Sequence, residues 1–179
     1  MLFRSLILDA GALFITDTHM VPDPTPDQIA EMTLLASTEL QHFGLKPRVA
    51  LLSHSNFGNA PGGVVETVRQ AVMELDSLEA GGHKVDFEYD GELNARVALD
   101  AELMKLYPFC RLSGPANILV MPGLHSANIA FKLVDQLGSV SVIGPMMLGG
   151  EFPFQIVQMG ASVNDIVQAA AIAAYDAIR

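Results

Sequence analysis

The sequence predicts an α/β fold in which helices cover a parallel or mixed sheet, and three observations carry that expectation. Apolar runs of about five residues, rich in Val, Ile and Leu, alternate with stretches of helical periodicity. No internal repeat or low-complexity segment interrupts the alternation, and only EAGGHK, residues 79–84, resembles a linker. The 179 residues, half of them hydrophobic, suit one domain of ordinary size.

Taken in order, the expected strands cover residues 12–16, 48–53, 85–89, 117–121 and 140–143, five in one sheet. The opening MLFRSLILDAGALFI reads as a lead-in to the first of them. Asp9 interrupts its apolar run and no small-residue cleavage site follows, which argues against a signal peptide. The first helix follows TPDQIAEM: Thr25 caps, Pro26 suits the first turn, Gln28 completes a capping box, and Ile29, Met32, Leu35 and Ala36 form the buried stripe. It should end near Phe43 and Gly44, because glycine readily takes the left-handed cap conformation. Further helices are expected over 63–75, 126–137 and 162–178, with a weaker one over 100–106. The last helix is apolar around most of its circumference, so it should pack against something this chain lacks, either another copy or the remainder of a longer protein.

Charge and cysteine content exclude several classes of function. Twenty acidic residues against ten basic ones leave a net charge of −10, unsuited to tracking nucleic-acid phosphates. Cys110 is the single cysteine, which rules out an internal disulfide, and no Cys/His pair has zinc-ligand spacing; both suit a reducing cytoplasm. No stretch reaches the ~20 uninterrupted apolar residues of a membrane helix. A cytoplasmic protein with no nucleic-acid or membrane partner and no bound metal is the expectation.

Ligands of open α/β sheets sit beyond the carboxyl ends of the strands, so five loops are candidates. Thr16-Asp17-Thr18-His19 could orient an imidazole, though turn chemistry is the commoner use of such residues. SHSNFGNAPGG, with Ser53, Ser55 and Asn56, could turn backbone N–H groups toward an anion or simply lead into a helix. It is no nucleotide P-loop, since Val64-Val65 stand where Lys and Ser/Thr are required. Asp90 and Glu92 flank Gly91 and could hold a cation, but a turn with an N-cap is the favoured reading. In MPGLHSANIAFK, Ser126 should cap a helix that carries Asn128 and Lys132 four residues apart on one face, a pair suited to a phosphate-bearing ligand. Last, Gly144-Pro145 should force a turn ahead of a segment whose methionines and Phe152 and Phe154 suit core packing.

Together and in this order, these segments resemble the phosphate acetyltransferase (phosphotransacetylase) family. The residues that carry the resemblance are Ser53 to Gly58, Asp90 to Leu93, Gly114 to Asn117, Pro122 with Asn128 to Lys132, Gly144-Pro145, and Gly160 with Asp165-Ile166. TDTH, the DPTPDQIAE helix and LLSHSNFG are similar to a degenerate form of that domain at the C-terminus of bacterial multidomain NADP-dependent malic enzymes; acetyltransferases proper have Thr-Lys at Asn56-Phe57. The resemblance implies a three-layer sandwich with a mostly parallel sheet, of the isocitrate/isopropylmalate dehydrogenase-like kind. Within that family's domain, the chain corresponds to the second subdomain plus the C-terminal helix, without the malic enzyme catalytic domains.

In the family, CoA thiolate attacks acetyl phosphate in a cleft between two α/β domains. Active members read Leu-Ser-Arg-Gly followed by an acidic residue five beyond the Gly. Here Gln158 and Met159 replace the Ser and Arg, while Gly160 and Asp165 remain; Gly123 and His125 replace the usual Asp and Asn. Exchanging a forked cation for a thioether removes a charged phosphate donor, so this chain should not catalyse acyl transfer. The resemblance therefore implies a degenerate CoA/phosphate cleft of Ser53, Ser55, Asn56, Asn128, Lys132, Gln158, Met159, Gly160 and Asp165. It further implies acetyl-CoA as effector, NADP and a divalent metal in the absent catalytic domain, a malic enzyme catalytic domain as partner in cis, and homo-oligomers. The competing readings are a working phosphate acetyl/butyryltransferase and a purely structural dimerisation module.

Overall fold

A computed structural model describes residues 2–8, 11–16, 20–138 and 141–178. Its six strands, β1 (Leu2–Leu8), β2 (Gly11–Thr16), β3 (Arg48–Leu52), β4 (Glu88–Leu93), β5 (Ile118–Val120) and β6 (Ser141–Met147), form one sheet in the order β4-β3-β5-β2-β1-β6. The β4-β3, β3-β5 and β5-β2 pairs are parallel, while β1 is antiparallel to both β2 and β6. Five strands thus run one way and β1 alone is reversed.

The helices are α1 (Pro26–His42), α2 (Gly63–Ala80), α3 (Ala95–Leu99), α4 (Ala101–Met104), α5 (Leu124–Leu137) and α6 (Val163–Ala177). Side chains alternate across each strand, so Val49 and Leu51 bury against α1 and α2, whereas Ala50 and Leu52 bury against α3, α4 and α5. In β5, Ile118 and Val120 join the first cluster and Leu119 the second. Three layers follow from that alternation, with strands buried on both faces as their composition requires. α6 lies along the β6 side of the sheet.

Helix ends follow local chemistry closely. Thr25 caps α1, its N–H donating to Gln28 Oε1 at 3.0 Å, and Pro26 occupies the first turn. The expected stripe holds except at Leu35, which is only half-buried. α2 continues five residues beyond the expected Leu75, because Gly81 and Gly82, not the acidic segment before them, end it. EAGGHK is therefore a helix end and a short loop leading toward β4.

The strands depart from expectation where pairing decides. The opening segment is itself the strand β1, laddered on β2 from Phe3↔Thr16 to Leu8↔Gly11. β4 covers 88–93, not 85–89: its ladder begins at Arg48↔Glu88, where β3 begins, leaving residues 85–87 no strand to pair with. Val85 and Phe87 still pack on the core. β5 spans only Ile118–Val120. β6 runs through Gly144-Pro145 without turning, since a register shift opposite Phe3 and Ser5 absorbs the irregularity. Gly144 has φ +108° there, and a Cβ would lie 2.9 Å from Met146 N and 3.1 Å from Phe3 O. Pro145 is tolerated because β6 is an edge strand. Val140, Asp17, Thr18 and His19 lie outside the described residues.

Candidate functional site

The loop after β3 is organised from within. Ser53 N–H donates to Leu93 O, Ser55 N–H to Ser53 Oγ, and Ala60 N–H to Ser55 Oγ. Phe57 N–H donates to Glu92 O, Gly58 N–H to Glu92 Oε1, and Asn59 N–H to Asn56 O. Asn56 Oδ1 accepts from Asn94 N–H at 2.8 Å, and Asn94 Oδ1 accepts from Val97 N–H as the N-cap of α3. The donors that could have turned toward an anion are thus largely used in holding the loop's own shape.

Beneath that loop, Glu92 is wholly buried and bonded by Arg69, whose Nε lies 2.8 Å from Glu92 Oε2. Arg69 also bonds Glu66 and the carbonyl of Ala60. Burial pushes the Glu92 carboxyl up, but the Arg69 and Gly58 donors outweigh it and hold the group below the usual carboxylate range. Asp90 bonds Gly91 N–H and Arg111 N–H. The acidic pair therefore lies inside β4 as strand scaffolding, and the N-cap is Asn94.

α5 begins two residues before the expected Ser126. Leu124 N–H is taken by the carbonyls of Val21 and Pro22, at 3.1 and 3.3 Å, and Ser126 Oγ donates to Gly123 O within the first turn. Segment 21–22 therefore occupies one of the donors at the start of α5 that an anion would use. It also crowds Gly123, where a Cβ would lie 2.5 Å from Pro22 O. Asn128 is half-buried and Lys132 exposed, on the same stripe of α5 as Asp135.

Gln158, Gly160 and Asp165 come together at the β6 side of the sheet. They line a cavity of about 240 Å³ with Arg4, Asp135 and residues of β6 and α6. Met159 faces solvent, fully exposed, and is not part of that lining. Ser162 caps α6 and Asp165 completes its capping box, accepting from Ser162 N–H at 2.8 Å and Ser162 Oγ–H at 2.9 Å. Those two bonds, the backbone one foremost, hold its carboxyl below the usual range and make it a weak base. The predicted site residues thus fall in two places. Ser53, Ser55 and Asn56 stand at β3, separated from β6 by β5, β2 and β1, about 19 Å at usual strand spacing. Asn128 and Lys132 lie between these two places, on α5, which starts after β5 beside β3 and packs on β2; only Asp135, further along the same stripe, lines the cavity.

Arg4 was not among the expected site residues. A lone arginine inside LFRSLIL was the available signal, since a charge within a buried apolar strand needs an explanation. Elsewhere, burial pushes the half-buried Cys110 thiol upward, away from reactivity. Among the described residues, no group of three or more His, Cys, Asp or Glu side chains could hold a metal ion, and no helix is long and apolar enough to cross a membrane.

Three layers, a mostly parallel sheet with one reversed strand, and these loops define a class. The chain belongs to the phosphate acetyl/butaryl transferase family, which it matches over residues 2–174. It is similar to the NADP-dependent malic enzyme of Rhizobium meliloti (strain 1021), 46% identical over 165 residues that make up 92% of this chain and 21% of that enzyme. The phosphate acetyltransferase of Clostridium acetobutylicum is 34% identical over 173 residues, 96% of this chain and 50% of that protein. Among solved structures, a phosphotransacetylase from Streptococcus pyogenes matches with a TM-score of 0.90 at 29% identity, covering 99% of this chain and 53% of that one. The chain spans about a fifth of the length of the malic enzymes and half that of the acetyltransferases.

Proposed function

We propose that this chain is the transacetylase-like regulatory and oligomerisation domain of an NADP-dependent malic enzyme, binding acetyl-CoA as an allosteric effector and transferring no acyl group. It corresponds on this reading to the second subdomain and terminal helix of that domain. The parent would convert malate and NADP to pyruvate, carbon dioxide and NADPH, with NADP and a divalent metal held by a catalytic domain in cis. Acetyl-CoA can inhibit such a parent only by binding two states of the assembly unequally.

The observation that carries the proposal is at residues 158–160. Gln158 and an outward-facing Met159 stand where active relatives resembled here place Ser and Arg. Losing one transition-state donor costs about 10² to 10³ in rate, and here two are lost. Asp165, committed to capping α6, supports the same conclusion, as does the crowding at Gly123.

The test uses the intact parent. No thioester should form from acetyl phosphate and CoA in proportion to protein added, and Lys132→Ala should weaken acetyl-CoA inhibition without changing the uninhibited kcat. An acyltransferase is the second reading, favoured by the family match and by the presence of Asn128, Lys132 and Asp165. Thioester formation would establish it and remove the regulatory one. If the parent is silent, Gln158→Ser with Met159→Arg should still fall far short of an active homologue, because no side chain fits at Gly123 without displacing Pro22.

A further inference from the structure

Methionine is apolar, yet Met159 stands wholly in water, with a relative exposure of 108%. It sits at the tip of a turn over residues 158–161, closed by Ala161 N–H donating to Gln158 O at 3.0 Å. A Cβ at neighbouring Gly160 would meet nothing within 4 Å, so the tip stands clear of the other described residues. The remaining described methionines are more sheltered. Met32, Met104, Met121 and Met146 are buried and Met147 is half-buried. Met20 is 49% exposed and Met73 64%, the latter on α2, where a side chain lies back along the preceding turn.

Exposure decides what oxidation does to a methionine. The thioether becomes a polar, chiral sulfoxide, which disrupts a packed core but leaves the fold intact where the sulfur already faces water. On either side of Met159 in the chain, Phe154, Ile156, Val157, Val163, Ile166 and Val167 are exposed, so an apolar surface would gain one polar group in its midst. We infer that Met159 is a reversible oxidation site, converted by hydroperoxides to the sulfoxide within the folded chain, which makes this surface more polar. The peroxide O–O bond breaks, its outer oxygen bonds to Sδ, and the alcohol leaves with the hydrogen; sulfur loses the two electrons that the peroxide gains. Reversal by a dithiol reductase returns two electrons, releases the oxygen as water and leaves a disulfide on the reductase. The inference is independent of acetyl-CoA binding and of the parent's activity.

Treating the 179-residue chain with tert-butyl hydroperoxide, which is too bulky to enter a packed core, tests it, with peptide masses reading each methionine. Among the described methionines, Met159 should oxidise first, ahead of Met73 and Met20 and about tenfold faster than the four buried ones. The chain carrying that one sulfoxide should keep its urea midpoint and elute earlier from a phenyl matrix. Methionine sulfoxide reductases with dithiothreitol should restore the original elution. Met159→Leu, which keeps an apolar side chain at an exposed position, should lose the elution shift; the mass readout on the unaltered chain stands whether or not that variant folds. Met73 or Met20 oxidising ahead of Met159, a lowered urea midpoint, an unmoved elution, a sulfoxide the reductases do not remove, or a shift that survives in Met159→Leu would each overturn the assignment.

Discussion

Glu92 shows how one carboxylate holds a loop. It is buried, yet bonds from Arg69 and Gly58 favour its charged form, and the loop between Ser53 and Ala60 closes over it. Removing Arg69 strands that charge, so Arg69→Met should lower the urea midpoint of the chain. Adding Glu92→Gln should recover part of the loss, because the amide oxygen can still accept from Gly58 N–H while no charge stays buried. Urea denaturation of the two single variants and the double variant measures the coupling; simply additive costs would mean the pair is not coupled. Glu88 behaves similarly at the other end of β4. Burial raises it, but Lys46 and Ser113 together bring it down to about 2. A carboxylate whose folded pKa lies below its unfolded value stabilises fully above the unfolded pKa and loses that contribution as pH falls. The urea midpoint should therefore decline from about pH 4.5 toward pH 2, and a midpoint flat across that window would contradict the assignment. The role of Glu92 was not legible from Asp90-Gly91-Glu92 alone, since the spacing is equally that of a turn and the partner Arg69 is distant in sequence.

At the scale of elements, what was readable was what local chemistry controls. α1 starts at Pro26 and ends at His42 because the capping box and the glycine after Phe43 lie within a few residues of the ends they set. Asn94 is a cap of the same kind, and Asn94→Ala should cost about 1 kcal/mol by thermal or urea denaturation while leaving the bond from its backbone N–H to Asn56 Oδ1 in place. The strand that escaped notice, β1, is the reversed one, and its direction is a matter of pairing with β2 and β6. α6 bears out the apolar circumference read from its sequence: Val163, Ile166 and Val167 are exposed and no residue of it is fully buried. α5 adds Ile129, Leu133 and Leu137, four residues apart and exposed. Ile166→Glu should therefore leave the melting temperature of the monomer within about 1–2 °C, because surface substitutions rarely exceed ~0.5 kcal/mol. It should also lower any tendency of the chain to associate.

Exposed apolar surface on two elements flanking β6 sets the expectation for the whole molecule. Patches beyond a few hundred Å² are uncommon on monomers, so the chain should self-associate at micromolar concentration. Sedimentation showing a clean monomer there would refute this. Ile166→Glu then distinguishes association through α6 from association elsewhere. At this scale the acidic charge of −10 argues for solubility and against nucleic-acid partners, and says nothing about the fold.

Fold class, the limits of α1 and the existence of five of the six strands were legible in the linear sequence. Each depends on residue type and near-neighbour spacing, which the chain carries wherever it goes. The grouping of functional positions was not present there. Folding parts Ser53, Ser55 and Asn56 from Gln158, Gly160 and Asp165 by the width of three strands, and it turns the carboxylate of Asp165 onto Ser162. It brings Pro22 against Gly123, across some hundred residues of chain, and sets Arg4 on Phe131 beside the cavity that Asp135 and Asp165 also line. Those contacts arise from strand order, and strand order minimises exposed apolar surface over the whole sheet, a quantity no local window of sequence contains.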